Sequence, residues 1–275
     1  MRHLFLIAIF FPFFCCGINI VTDIRPLHML IYDIVYGSDA KLDLIHAKEH
    51  EIHDHGTGHK PSEIKNISSA DVLISARMKI YQQFNIKSKI DPLSIVDLIY
   101  DKNTSQKDLH FWLSPKNALK FAEHVMKTLV NLDTKNVAIY KKNYKKLKES
   151  IIRKIKILRF DIKTKIPKNQ NYIVLHDSYK YFEDFFYING LIGSFYDSNH
   201  NTANIKQINS YTNYIKNGKV KCIICDNLHN KIAERFKDQV KIVHIDPIGE
   251  SIKVRRNSYN AFLHHVYTGY KKCLE

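Results

Sequence analysis

The 275-residue chain holds 15 histidines, unevenly spread. Five of them, His46, His50, His53, His55 and His59, crowd one stretch, interleaved with Glu49, Glu51 and Asp54. Imidazole at such density commonly binds metal. Gly56 and Gly58 make the end of the stretch a loop, so the five rings do not all belong to one fixed site; most serve to raise the local metal concentration. Two further histidines stand at the edges of apolar runs: His110 ahead of Phe111-Trp112-Leu113-Ser114-Pro115, and His176, followed by Asp177, directly after the run 172–175. Asp246 has the same position after the run 240–245. Each alone has an ordinary explanation, a hydrogen-bonded histidine at a strand end or an aspartate capping a turn before proline. As a set, neutral imidazoles with a carboxylate suit Zn²⁺, which takes nitrogen at about 2.0–2.1 Å and usually four ligands.

Donors so far apart in sequence need a scaffold. Residues 18–24 form a β-rich run ending at Pro26, and 27–35 has helical spacing that stops at Gly37. The alternation continues with a strand at 42–45, a short helix at 62–66 introduced by Pro61, and a strand at 71–75. A helix then starts near Ser114, a natural N-cap with Pro115 at the first helical position. Residues 134–166 contain neither Gly nor Pro, and Leu147, Ile151, Ile155 and Leu158 recur at spacings of four and three. They predict one long helix, which at about 1.5 Å per residue reaches some 45 Å. Pro167 ends it, and a second alternation follows: a strand at 172–175, a helix from about Ser178, strands at 220–225 and 240–245, and a final helix from about Asn257. The expected fold class is α/β, with two strand–helix lobes (18–133 and 167–275), each carrying a mainly parallel sheet, bridged by one long rigid helix (134–166). In open α/β sheets ligands sit beyond the carboxyl ends of the strands, which is where His176 and Asp246 fall.

Residues 1–17 read as a secretory signal peptide: a cationic start (Met1-Arg2-His3), an apolar run at 4–14, then the small residues Cys15, Cys16 and Gly17. That run is well short of the roughly 20 residues needed to span a bilayer as a helix. The formal net charge of +15 raises the question of nucleic acid. The lysines, however, run through the whole chain beside abundant Ile, Asn and Tyr, so an exported protein without a nucleic-acid partner is expected. Beyond the signal, Cys222, Cys225 and Cys273 are left, and an oxidising compartment favours one disulfide with one thiol over. Cys222 and Cys225 sit on a strand where they face opposite ways, so this C-x-x-C pair cannot share a metal.

Several short motifs resemble the periplasmic metal-binding subunits of ABC importers, and among them the zinc-uptake branch. These are Asp23-Ile-Arg-Pro-Leu27, Lys60-Pro-Ser-Glu63 followed by Ser69-Ala-Asp-Val-Leu73, and His110-Phe-Trp-Leu-Ser-Pro115. His176-Asp-Ser-Tyr179, Cys222-Ile-Ile-Cys-Asp226, Ile245-Asp-Pro-Ile-Gly249, Ser258-Tyr-Asn-Ala-Phe262 and Tyr270-Lys-Lys-Cys273 continue the series in the same order. The resemblance implies two α/β lobes with the metal at their interface, a membrane permease as partner, a periplasmic location, a monomer and no enzymatic activity. It implies His110, His176 and Asp246 as metal-site residues, with water as the alternative to Asp246. The first ligand, counted six residues before Pro61, falls on His55; its neighbours Asp54 and Gly56 depart from the family pattern, which keeps His53 and His59 open. Manganese members place a carboxylate where His176 stands, so three imidazoles imply zinc. Cysteines in zinc members at the positions of Cys222 and Cys273 imply that disulfide, with Cys225 in the core.

Three other functions compete. A secreted zinc hydrolase would need a base such as Asp177 or Asp246 beside a metal-bound water, and no H-E-x-x-H helix is present. The others are a manganese importer subunit and an adhesin whose metal serves only stability.

Overall fold

The apolar runs become two separate parallel sheets in the computed structural model, which describes residues 17–45, 60–76, 78–99, 107–226 and 231–275. The first half contains β1 (Asn19–Thr22), α1 (Arg25–Val35), β2 (Lys41–Leu44), α2 (Pro61–Ser68), β3 (Val72–Ile74), β4 (Ser88–Ile90) and α3 (Pro115–Leu132). Then comes α4 (Val137–Lys165), preceded by a 3-10 turn at Thr134–Asn136. The second half contains β5 (Tyr172–His176), α5 (Lys180–Phe186), β6 (Leu191–Tyr196), α6 (Ile205–Lys216), β7 (Cys222–Cys225), α7 (Lys231–Glu234), β8 (Lys241–His244) and α8 (Ser258–Leu274). The sheets repeat one strand order, β2-β1-β3-β4 and β6-β5-β7-β8, with every pairing parallel. In each, the order reverses beside the first strand of the half, which opens a crevice at the carboxyl ends there.

Most elements expected from periodicity are present, and the chemistry behind them is visible. Ser114 accepts the N–H of Asn117 and caps α3 ahead of Pro115. Helix α4 buries Tyr140, Asn143, Leu147, Ile151, Leu158 and Ile162. These recur on one stripe, which α4 lays against α1 and α3 of the first half and α8 of the second. At about 1.5 Å per residue its 29 residues reach roughly 43 Å, enough to back both lobes. The edge strands β4 and β6 and helix α6 have no counterpart in the periodicity. β6 shows only one fully buried residue among six, so its pattern lacks the apolar signal of β5, where all five are buried.

One apolar core runs through both halves. It takes Ile20, Leu27 and Phe111 from the first and Tyr172, Tyr259 and Phe262 from the second. The outer face of each sheet has its own smaller cluster, around Val21, Leu73 and Tyr81 in one case and Ile173, Ile223 and Phe236 in the other. Cys222 belongs to the shared core and is bonded to Cys273 of α8, whereas Cys225 packs in the outer cluster, as their opposite strand faces require.

Candidate metal centre

The carboxyl ends of the two sheets face each other, and the contact between them is built from hydrogen bonds of very long range. Arg25, just beyond β1, donates to the carbonyls of Gly249 (2.9 Å) and Ile252 (2.6 Å), beyond β8. Gly249 adopts φ 66°, and a Cβ there would stand 2.9 Å from Phe262 and 3.2 Å from Met29, so that turn needs glycine. The Trp112 indole N–H donates to the Pro247 carbonyl (2.8 Å) and the Tyr259 hydroxyl to the Trp112 carbonyl (2.7 Å). Tyr181 donates to the Asp108 carbonyl at 3.0 Å. Together these contacts hold the segment 108–113 against the second lobe.

This seam brings His110 to His176. His110 precedes the short 3-10 turn Phe111–Leu113, and His176 is the last residue of β5 rather than the first beyond it. Their exposures are 0% and 1%, and their ring centroids are 5.1 Å apart at 73°. With Zn–N near 2.0–2.1 Å and a ring radius of roughly 1.2 Å, two imidazoles sharing a tetrahedral ion hold their centroids about 5.3 Å apart. The pair therefore fits a common ion.

Each ring is also oriented. His110 Nδ1 is 2.8 Å from Asp108 Oδ1, and the same oxygen accepts the His110 backbone N–H at 2.9 Å. His176 Nδ1 is 2.8 Å from Ser178 Oγ and 3.4 Å from Asp226 Oδ2. A carboxylate on Nδ1 fixes the tautomer with the proton there and leaves Nε2 as the basic nitrogen, the arrangement typical of metal-bound histidine. Burial, reinforced by the nearby imidazoles of His176 and His200, holds His110 well below the usual histidine pKa, so it stays neutral and able to donate its lone pair. Burial pushes Asp226 upward, but the hydrogen bond and charge of His176 more than offset this and keep it below the ordinary carboxylate range.

Asp108, Ser178, Asp226 and His200 were not singled out by sequence reasoning. Asp108 stands two residues from His110 and Ser178 two residues from His176, a local signal that could have found both. Asp226 ends a matching motif, but only the pairing of β5 with β7 sets it beside His176. His200 lies 24 residues beyond His176 in a polar turn, and its ring stacks on His176 with centroids 3.9 Å apart.

Asp246 is positioned differently from the histidines. Its Oδ1 accepts the N–H groups of Ile248 (3.0 Å) and Gly249 (2.8 Å), and its Oδ2 those of Glu250 and Ser251. The carboxylate thus organises the 246–251 turn. Beside it lies a cavity of about 310 Å³ lined by Asp226, His244, Asp246, Ile248, Glu250 and Ser251. His46, His50, His53, His55 and His59 lie outside the described residues, as do residues 1–16. The last described residue ahead of the histidine tract, Ile45, donates its N–H to Thr22 O at the carboxyl end of β1. Among the described residues, no group of three or more His, Cys, Asp or Glu is gathered so as to hold a metal ion, and no helix is long and apolar enough to cross a membrane.

Comparison with known proteins gives a consistent result. The family described as zinc-uptake complex component A, periplasmic (ZnuA), matches residues 20–273. The high-affinity zinc uptake system protein ZnuA of Brucella abortus is 28% identical over 170 residues, covering 61% of this chain and 50% of that protein. The chain thus spans about half the length of the curated relatives it matches. A zinc-bound ZnuA deletion mutant superposes with a TM-score of 0.78 at 16% identity, over 94% of this chain and 98% of the other. FpvC of Pseudomonas aeruginosa in complex with Mn²⁺ superposes with a TM-score of 0.77 at 14% identity, over the same shares. At these identities the superpositions speak to fold.

Proposed function

This chain belongs to the ZnuA family of periplasmic zinc-uptake components, a family of solute-binding proteins and not of enzymes, and on that premise we propose that it captures Zn²⁺ and delivers it to the permease of an ABC importer. The observation that carries this reading is the His110–His176 pair: buried, 5.1 Å apart, and each ring held by a carboxylate on its far nitrogen. Two buried imidazoles suit a borderline ion such as zinc better than manganese, which favours oxygen. The third protein ligand comes from the 46–59 tract, with His55 first in line and His53 and His59 as its neighbours. Residues 1–17 direct export to the periplasm and are removed; the lobes 18–133 and 167–275 work as a monomer on either side of the bridge 134–166. The core shared by both halves makes the lobes resist wide hinge motion, so loading and release proceed through side chains and loops.

Zinc titration of the purified protein, with metal counted per chain, tests the proposal. His110→Ala and His176→Ala should each weaken binding by more than about 100-fold, beyond the range seen for residues that merely orient ligands. His55→Ala, His53→Ala and His59→Ala identify the third ligand by the same measurement. Chelation should leave the circular dichroism of the chain intact; a chain that unfolds on chelation would use zinc as a structural element, and the transport reading would fail.

A further inference from the structure

Lysines run through the whole chain, but the folded surface concentrates positive charge on one helix. Helix α4 carries eleven lysines and arginines among its 29 residues and only Glu149 and Asp161 as acids. Its buried stripe packs against α1, α3 and α8, so the cationic side chains point outward, and all of them except Lys154 are exposed. Asp161 engages Lys165 at 2.6 Å, whereas Lys156 and Lys163 form no ion pair among the described residues. A cationic face alone would be an ordinary solvated one. Here large apolar side chains stand among the charges: Ile152 (37% exposed), Ile157 (53%) and Phe160 (64%) on α4, and Tyr187 (78%) on the turn after α5. At about 3.6 residues per turn, Ile152, Lys156, Phe160 and Lys163 share the side of α4 opposite the buried Leu147, Ile151 and Leu158. The same end of the helix borders a cavity of about 550 Å³, whose lining again joins cations to apolar groups: Arg159, Lys163 and Lys168 with Ile166, Phe186 and Tyr187. Exposed apolar groups gathered within a charged surround mark an interaction surface.

We propose that the outward face of α4 from Ile152 onward, with Lys168 and Tyr187, docks on an anionic phospholipid surface. Charge complementarity selects this partner: each Lys or Arg close to an anionic bilayer strengthens binding about fivefold. The long stems of Lys156, Arg159 and Lys163 lie along apolar surface while their heads reach phosphate, and Ile157, Phe160 and Tyr187 enter the headgroup boundary. An acidic polypeptide would neutralise the cations but leave those apolar side chains in water. A bilayer satisfies both. One face of one helix supports reversible association with the surface and not insertion across it. Helix α4 leads into the amino end of β5, and His176 stands at the other end of that strand, so the docked chain keeps the seam between the sheets uncovered. The contact involves no metal and is independent of zinc capture.

Vesicle flotation tests this with the processed protein, because the apolar run 4–14 would itself enter lipid. Vesicles of phosphatidylcholine, with or without about one third phosphatidylglycerol, are compared at about 0.1 M salt, where charges still act over about 10 Å. Binding should be at least about tenfold tighter to the anionic vesicles and should fall as salt is raised. Lys156→Gln, Arg159→Gln and Lys163→Gln combined should weaken it about 100-fold. The same loss of charge elsewhere, through Lys206→Gln, Lys216→Gln and Lys219→Gln on and after α6, should cost about twofold at most. All six side chains are exposed, so circular dichroism should stay that of the wild type. Ile157→Ser with Phe160→Ser should weaken binding several-fold at constant charge, and Phe160→Trp should give indole emission that shifts to the blue when anionic vesicles are added. Equal losses in the two triple variants would reduce the effect to net charge and overturn the assignment, as would equal binding to both kinds of vesicle. Retention on immobilised polyglutamate without any vesicle binding would assign the face to an acidic protein instead, and also overturns it.

Discussion

In the N-terminal lobe the crevice beyond β1 and β3 holds Asp23, whose carboxylate accepts the Ser75 hydroxyl at 2.5 Å and stands 3.4 Å from the Tyr81 hydroxyl. In the C-terminal lobe the equivalent crevice beyond β5 and β7 holds His176 and Asp226, with Ser178 as a further partner. The strand order is the same, and each crevice has a carboxylate and a hydroxyl. What differs is the third residue type. Asp, Ser and Tyr are linked by internal hydrogen bonds that tie β1 to β3, whereas imidazole uses one nitrogen for the carboxylate and keeps a second for a cation. The fold supplies two equivalent positions; residue chemistry makes one a structural tie and leaves the other as the proposed ligand site.

That contrast can be broken at several points. The largest stability effect should come from the disulfide that joins β7 to α8, since the three cysteines in the described residues all belong to the C-terminal lobe. Removing a native disulfide costs about 2–5 kcal/mol, so Cys222→Ser with Cys273→Ser should lower the unfolding free energy by that amount in denaturant titration.

Next comes a pH response from the same lobe. Glu183 is buried against the hydroxyls of Tyr172 and Tyr270, and burial raises its pKa from near 4.5 to about 7, although both hydroxyls pull it down. Between these values the folded chain keeps a proton that the unfolded chain releases. Stability therefore falls as pH rises from 4.5 to 7 and levels off above, by up to about 3 kcal/mol. Glu183→Gln should flatten this segment of a pH-dependent unfolding series; an unchanged slope would refute the assignment.

Sharpening the contrast needs the carboxylates. Asp226→Asn and Asp108→Asn should each weaken zinc by about 10–100-fold with little change in melting temperature, because they orient ligands without being ligands. Asp23→Asn, in the other lobe, should do the reverse: lower stability by about 1–3 kcal/mol through its hydrogen bonds and leave zinc affinity unaltered in calorimetry. Equal effects of Asp23→Asn and Asp226→Asn on zinc would erase the distinction between the crevices.

Much of this molecule follows from local sequence. Periodicity and the absence of Gly and Pro predict the long helix, and Ser114-Pro115 predicts the start of α3, because caps and apolar stripes act within a few residues. The strand–helix alternation gives the two-lobe fold, and the edges of the apolar runs give the candidates His110, His176 and Asp246. Edge strand β6 escaped, since half-exposed residues carry little periodic signal. Roles were harder to read than places. Asp246 stands beyond its strand as expected, and only the structure shows that its oxygens also accept four backbone amides of the 246–251 turn.

The types of donor, their places at strand ends and the helices that carry them follow from the linear chain, because these depend on residues close together along it. Which side chains meet is set by the folded chain. His176 finds Asp226 across 50 positions because β5 and β7 are neighbours, Arg25 finds Gly249 across 224 because the lobes close face to face, and His200 reaches His176 because a turn wired by Asp197 holds it in a strained conformation. Those meetings depend on sheet order and core packing, which are properties of the whole chain.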